Sequence, residues 1–342
     1  TPRNFVISMV GDCTLSSSQR NNHFEDILKG DMKHPFSGTL EYFKDDYLSI
    51  GNLECSFSDR KLYGSTLFQF LGPAKHAEIL SEGSIEFMTL ANNHTMDFGQ
   101  DGLDDSKAAL DAVGVMWAGP NESAIYQRED GLKIGLYAAR WIAGQKEVTD
   151  GVAALKARGD LDLIICLMHW GIEGSYRVLQ VQEQMGRAAI DAGADIIYGS
   201  HPHVLHRVEE YNNGLIIYSL GNWSFGGNTA PRDRDTAIVQ VTVTKNPDGT
   251  VLVSGWNAIP CSLSSTPGIN DYRPIPYEKD SEEYNRAMSK LLGTFKGPDL
   301  NVDYSAIKQG DAGGSSGGGG EEAPTPPEGG GGTGGSEGGG EG

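Results

Sequence analysis

Residues 193–227 read GADIIYGSHPHVLHRVEEYNNGLIIYSLGNWSFGG, and the fold is decided there. Ile196-Ile197-Tyr198 has the length and β-branching of a buried strand. The run stops at Gly199-Ser200 and passes directly into His201-Pro202-His203. In an extended segment, two histidines two apart point the same way. Pro202 favours extension at His201 and removes a backbone donor. The expectation is a stiff, extended loop at a strand's end presenting two neutral imidazoles, a pair suited to a divalent metal. An H-x-H pair alone is as often a surface accident, so the weight falls on what the other strand ends carry.

Working outward, the same pattern recurs. The apolar run at 5–10 leads into Gly11-Asp12-Cys13-Thr14, and that at 47–50 into Gly51-Asn52-Leu53-Glu54. The run at 85–90 leads into Ala91-Asn92-Asn93-His94 and then Asp97. The most hydrophobic, 161–168, ends at His169-Trp170-Gly171-Ile172-Glu173, and 215–220 closes on Gly221-Asn222-Trp223. Further strands are predicted at 115–118 and 132–138, with an antiparallel hairpin at 236–244 and 250–256. Helices are predicted at 39–46, 73–82, 102–113, 176–192 and 281–292. This is an α/β pattern, and in open α/β sheets the C-terminal strand ends share an edge where ligands bind. Asp12, Glu54, Asn93, His94, His169, His201 and His203 should therefore meet.

Their chemistry agrees. A carboxylate such as Glu54 can bridge two cations while imidazoles and an Asn carbonyl fill other positions. Such N/O sets suit manganese, iron or zinc better than calcium, with one or two ions bound. His94 is placed to protonate a leaving group and Asp97 to orient it. Asn52, Trp170, Glu173, Asn222 and Trp223 are expected to line the substrate pocket. Taken singly, Asp12 or Asn93 reads as a helix cap, Glu54 as a rim ion pair and His169 as a satisfied core histidine. His23, His34 and His76 carry no motif and are assigned structural roles; His206 falls outside the metal ligands.

Composition narrows the function. The 342 residues carry a formal net charge of -19, which argues against a nucleic-acid surface. From residue 310 glycine, serine, glutamate and proline dominate, so 310–342 reads as a flexible tail behind a folded domain over 1–309. No run approaches the roughly 20 apolar residues that span a bilayer. With a strand expected from residue 5 no signal peptide is read, as expected also of a mature or trimmed form from which a leader has been removed. Cys13, Cys55, Cys166 and Cys261 are too few for a disulfide-built scaffold. Cys13 and Cys55 would form a thiol pair or a disulfide if their strands are neighbours.

The ordered set G-D (11–12), N-L-E (52–54), A-N-N-H-x-x-D-x-G (91–99), H-W-G-x-E (169–173), G-x-H-P-H-V (199–204) and Y-S-L-G-N (218–222) closely resembles the bacterial CapA family of poly-γ-glutamate capsule biosynthesis proteins. The resemblance implies a metallophosphoesterase-type four-layer α-β-β-α sandwich. It implies a place outside the cytoplasmic membrane at the cell surface, anchored through a segment not in this sequence or secreted. It also implies Asp12 and His203 on one metal, Asn93, His169 and His201 on a second, Glu54 between them, and His94 as the catalytic histidine. The phosphoesterase pattern has a second histidine two residues after its first Asp, where this chain has Thr14.

The leading reading is a protein of poly-γ-glutamate synthesis or export with a metal-dependent, hydrolase-like site. Its partners would be the acidic polymer and membrane-bound capsule-synthesis components. One alternative is a non-catalytic polymer-binding or export scaffold with a degenerate site; another is a general metal-dependent phosphoesterase.

Overall fold

The computed structural model describes residues 1–64, 68–129, 131–300 and 302. The predicted tail from 310 lies outside them. In chain order the principal strands are β1 (Arg3–Thr14), β2 (Leu48–Leu53), β3 (Phe87–Thr89), β4 (Met116–Ala118), β5 (Glu122–Gln127), β6 (Lys133–Arg140) and β7 (Leu163–His169). They continue as β8 (Ile196–Ser200), β9 (Val208–Tyr211), β10 (Gly214–Ile217), β11 (Asn222–Phe225), β12 (Asp235–Lys245), β13 (Val251–Ser262) and β14 (Ile275–Pro276). The longer helices are α1 (Gly99–Ala112), α2 (Gln145–Ala157), α3 (Gln180–Asp191) and α4 (Glu282–Leu291).

An eight-stranded sheet runs β14-β13-β12-β1-β2-β3-β4, with β11 also paired to β1; a six-stranded sheet runs β9-β10-β8-β7-β6-β5. Side-chain alternation sorts each strand's residues between two faces. Ile7 and Met9 of β1, Leu48 and Ile50 of β2, Ile134, Leu136 and Ala138 of β6, and Leu163, Ile165 and Leu167 of β7 fill the space between the sheets. Val10, Leu53 and Met88 face outward and pack on Leu103, Ala109 and Leu110 of α1. Ile164, Cys166 and Met168 face outward from the other sheet onto Val148 and Val152 of α2 and Met185 and Ala189 of α3. The result is helix, sheet, sheet, helix: the four-layer sandwich.

The first strand contains the feature that builds the site. Met9 pairs with Ile50, but the next pair along the two parallel strands is Asp12 with Asn52. β1 thus spends one residue more than β2 over the same distance, a bulge that reverses which side chains face inward. Without it Gly11 and Cys13 would continue the inward face of Ile7 and Met9. With it Asp12 shares that face with Asn52. Gly11 is needed beside it, because a Cβ there would stand 2.0 Å from the Gly221 carbonyl oxygen.

Several predicted elements shift. Only a short 3₁₀ turn, Leu40–Tyr42, forms where a helix was expected at 39–46. The helix expected at 176–192 begins at Gln180, because Tyr176 is held elsewhere: its N–H donates to Asp299 Oδ1 at 2.7 Å and its hydroxyl to Asp233 Oδ2 at 2.7 Å. The strand expected at 215–220 stops at Ile217, and Asn222–Phe225 forms a strand of its own along β1. Cys13 and Cys55 do sit on neighbouring segments, yet all four cysteines are free, buried thiols.

The C-terminal helix is fastened by buried charge. Lys290 of α4 is 4% exposed and its Nζ lies 2.7 Å from both Asp233 and Asp235. Beyond the helix, Leu300 N donates to Gly174 O at 3.0 Å, and Asp299 accepts from Ser175 and Tyr176. This strap props the loop that carries Glu173. Lys290→Ala removes the ammonium from buried Asp233, while Asp235 keeps the Arg286 guanidinium at 2.7 Å; breaking such a buried pair costs about 3–5 kcal/mol. The expected result is a lower urea midpoint at unchanged slope; a midpoint equal to wild type would show that the network contributes no stability.

Candidate metal centre

The strand ends of both sheets converge on one cleft. From β1, Asp12 is fully buried, and from the end of β2 so is Glu54. Asn52 lies between them, its Nδ2 donating to Asp12 Oδ1 at 2.9 Å and Glu54 Oε2 at 3.3 Å. Asn92 completes the brace: its Nδ2 donates to Asn52 Oδ1 at 3.0 Å and Leu53 O at 2.7 Å, while its Oδ1 accepts from His94 N at 3.0 Å. His94 Nδ1 lies 2.7 Å from Asp97 Oδ2, and its ring meets Phe70 edge-on.

The six-stranded sheet supplies the imidazoles. His169 closes β7 and, by strand alternation, continues the inward face of Leu163, Ile165 and Leu167. Ser200 at the end of β8 donates to Met168 O at 3.2 Å, so its oxygen accepts from His169 Nδ1 at 2.9 Å. This fixes the His169 tautomer with a bare Nε2, the form that binds a metal. That nitrogen faces Asn93 Oδ1 at 2.7 Å. With Nε2 unprotonated, the imidazole nitrogen and the amide oxygen are two acceptors that a shared cation would join.

His201 and His203 arrive differently from the extended pair expected. Both adopt positive φ, 100° and 57°. Non-glycine residues hold such backbones only where surrounding contacts over-determine them. Gly174 N donates to Pro202 O at 2.9 Å, and Asp12 Oδ2 accepts from His201 N at 3.2 Å. The His201 ring lies 4.5 Å from that of His169 and 6.0 Å from that of His203. His203 Nδ1 contacts Asn222 Oδ1 at 2.8 Å and Asp12 Oδ2 at 3.1 Å.

Glu54 is the shared element. Its Oε1 lies 3.7 Å from His169 Nε2 and 3.8 Å from His203 Nε2, and this buried oxygen has no hydrogen-bond partner. His201 Nδ1 is likewise buried without one. Metal–ligand bonds of about 2.0–2.2 Å place neighbouring donor atoms roughly 3–3.5 Å apart, close to these separations. Donor atoms gather within 4.8 Å of one another in three groups: Glu54, His169 and His201; Asp12, Glu54 and His203; and Glu173, His201 and His203. The residues present fit a divalent cation.

Electrostatics agree. Burial pushes the Glu54 carboxyl well up, and Asp12 beside it adds to the push. Burial holds His169 and His201 well below the usual imidazole range, so both are neutral and able to ligate. Burial also works against charge on His203, but Glu54, Asp12 and Glu173 outweigh it and lift the ring to about 10. The carboxylates draw one positive charge into the cleft, as a proton on His203 or as a bound cation beside it.

The expected pocket residues need correcting. Asn52 and Asn222 are buried braces, bonded to Asp12 and His203 respectively. Trp170 and Trp223 are wholly buried in the outer cores, not walls of the cleft. Each directly follows an inward-facing residue, His169 or Asn222, and alternation turns it to the opposite face. Glu173 alone of this group is open, its side chain 37% exposed and its Oε1 4.0 Å from His203 Nε2. Asn92 and Ser200 were missed; Asn92 stands inside the quoted A-N-N-H motif, whereas nothing marked Ser200. The remaining histidines have partners away from the cleft. His23 meets the Tyr272 hydroxyl, His34 the Asp271 carbonyl, His76 the Leu15 carbonyl and His206 the Ser175 carbonyl. Thr14 donates to Glu54 O at 3.1 Å, bracing the backbone where the phosphoesterase pattern has a ligand.

Fold and donor set together define an α/β sandwich with a cleft suited to a divalent cation at its sheet edge. The chain belongs to the family described as bacterial capsule synthesis protein PGA_cap, whose model matches residues 6–226. It is 33% identical over 235 residues to the PGA biosynthesis protein CapA of Bacillus subtilis (strain 168), covering 63% of this chain and 59% of that protein. It is 28% identical over 318 residues to the capsule biosynthesis protein CapA of Bacillus anthracis, covering 83% and 73%. The match thus spans less than two thirds of the B. subtilis protein. Among solved structures it is similar to the NAD nucleotidase of Haemophilus influenzae (TM-score 0.47, 14% identity, 90% of this chain and 66% of that one). A purple acid phosphatase from yellow lupin gives a TM-score of 0.39 at 12% identity, covering 88% and 57%. No helix among the described residues is long and apolar enough to cross a membrane.

Glu54 is common to the His169/His201 group and the Asp12/His203 group, so Glu54→Gln should lower bound manganese or zinc below the content of His203→Ala, which leaves the group of Glu54, His169 and His201 whole. Mass spectrometry of dialysed protein measures this. Equal metal in wild type and Glu54→Gln would remove Glu54 from the site.

Proposed function

We propose that this chain acts in poly-γ-glutamate capsule synthesis, outside the cytoplasmic membrane, through a hydrolase-type site that uses one or two divalent cations of manganese, iron or zinc. The observation that carries this is Glu54 Oε1: buried, without a hydrogen-bond partner, and flanked by His169 and His203 at 3.7 and 3.8 Å. Asp12, Glu54 and His203 would hold one cation; Glu54, Asn93, His169 and His201 would hold the other. Bound there, a divalent cation supplies Lewis acidity toward a carbonyl or phosphoryl oxygen and makes water a nucleophile near neutral pH.

The chain's own groups do the rest. Asn52, itself held by Asn92, holds the two carboxylates, and Ser200 holds His169 at Nδ1. Asp97 orients His94 through Nδ1, leaving Nε2 to exchange a proton with a leaving amine or alcohol. The bond attacked would be an amide of the polymer or a phosphoester of a precursor. Membrane-bound capsule-synthesis components are the partners this reading calls for.

Thr14 supports a second reading, a scaffold that binds or guides the polymer without cleaving it. Its hydroxyl is committed to the Glu54 carbonyl, so one imidazole of the phosphoesterase pattern has no counterpart. His94→Ala separates the two. The hydrolase reading expects turnover of a γ-linked glutamate oligomer or a chromogenic phosphate ester to fall roughly 10²–10⁴-fold, with metal content unchanged. Wild-type turnover in neither assay, together with undiminished capsule output in His94→Ala cells, would leave the scaffold reading standing.

A further inference from the structure

Arg140 closes β6, and the cleft chemistry described so far does not use it. Its register partner is His169 on β7, whose next partner on β8 is Ser200. Arg140, His169 and Ser200 therefore stand side by side at one sheet edge, neighbouring strands being about 4.8 Å apart. Alternation gives Arg140 the parity of Ile134, Leu136 and Ala138, which face the space between the sheets. Residues 134–139 are buried, whereas Arg140 is partly exposed. Its charge reaches both site histidines, helping to hold His169 and His201 neutral. The carboxylates that share the cleft are Asp12, Glu54, Asp97 and Glu173.

We propose that Arg140 seats a free carboxylate of the substrate beside the metal centre, on the side of the cleft formed by β6 and β7. This rests on the capsule-polymer reading above. A γ-linked glutamate chain leaves one α-carboxylate free on each residue. On the amine side of every amide that carboxylate is only three bonds from the carbonyl carbon. With the scissile carbonyl at the metal ligands, that carboxylate stays close to them, on the side where Arg140 closes the strand next to β7. A guanidinium is the side chain suited to this, since its planar donors take a carboxylate in two parallel hydrogen bonds. In a strongly acidic protein it also supplies the local positive charge that a polyanion requires.

Calorimetric titration of manganese-loaded protein with a γ-linked glutamate oligomer tests the assignment, with metal content measured in each variant. Arg140→Gln should weaken binding roughly tenfold or more at unchanged metal content, and Arg140→Lys should recover part of the loss. The same oligomer with its α-carboxylates converted to carboxamides should bind wild type and Arg140→Gln alike. Equal affinity of wild type and Arg140→Gln for the acidic oligomer overturns the inference and leaves the capsule reading intact. Loss of metal in Arg140→Gln overturns it too, because Arg140 then acts through the histidines. So does an Arg140-dependent affinity for orthophosphate without one for the oligomer. If wild type fails to bind the oligomer, the capsule reading itself falls and takes this inference with it.

Discussion

Two carboxylates, Asp12 and Glu54, are held side by side with no exposed surface. Burial disfavours charge on Glu54, and the neighbouring Asp12 disfavours it further. Much of the cleft follows as compensation. Asn52 and Asn92 point amide hydrogens at the pair and its backbone, while His201 offers its N–H to Asp12. Even so, one Glu54 oxygen keeps no partner, and His203 is drawn toward the charged state. Positive charge balances the cluster, which makes its fit to a divalent cation a property of the architecture rather than of any single ligand.

The histidines divide the labour. His169 is positioned by regular structure: it ends a strand, its parity is set, and Ser200 fixes its tautomer. His201 and His203 are positioned by strain, in backbone conformations that cost about 1–3 kcal/mol each for non-glycine residues. The contacts that hold them reach across the molecule, from Asp12 on the larger sheet and from Gly174, which is itself tied to Leu300 beyond α4. The C-terminal strap lies outside the region matched by the family model, yet it steadies the loop on which Glu173 and the Pro202 contact depend.

Sequence alone located the convergence because each ligand directly follows an apolar run, and strand ends in α/β sheets share an edge. It misjudged what alternation and irregularity decide. Trp170 and Trp223 looked like pocket walls, but the faces on which they fall are set by neighbours that single-residue patterning did not track. The extended H-P-H segment was a sound local inference overridden by tertiary contacts at both histidines. The bulge in β1 was not legible at all. An extra residue leaves no mark in composition or period, and only pairing with β2 reveals it. Ser200 and Arg140 were missed for a related reason: each matters through its register partner, which a linear reading does not supply.

The charge balance raises a physical question that the cleft answers. An acidic protein repels a polyanion, and the net charge of -19 is substantial even though the tail holds part of it. At physiological ionic strength the Debye length is about 8 Å, so charges on the far faces of the sandwich are largely screened at the cleft. On the proposed capsule-polymer reading, what a polymer residue would meet there is local: two buried carboxylates that call for positive charge, with Arg140 at the end of the neighbouring strand. Repulsion from the body would then keep the rest of such a polymer off the surface, while the cleft would accept the short stretch that matches its positive charge. On that reading the site would favour an extended acidic chain over a compact acidic protein, since only the former can present isolated carboxylates at the bottom of a cleft.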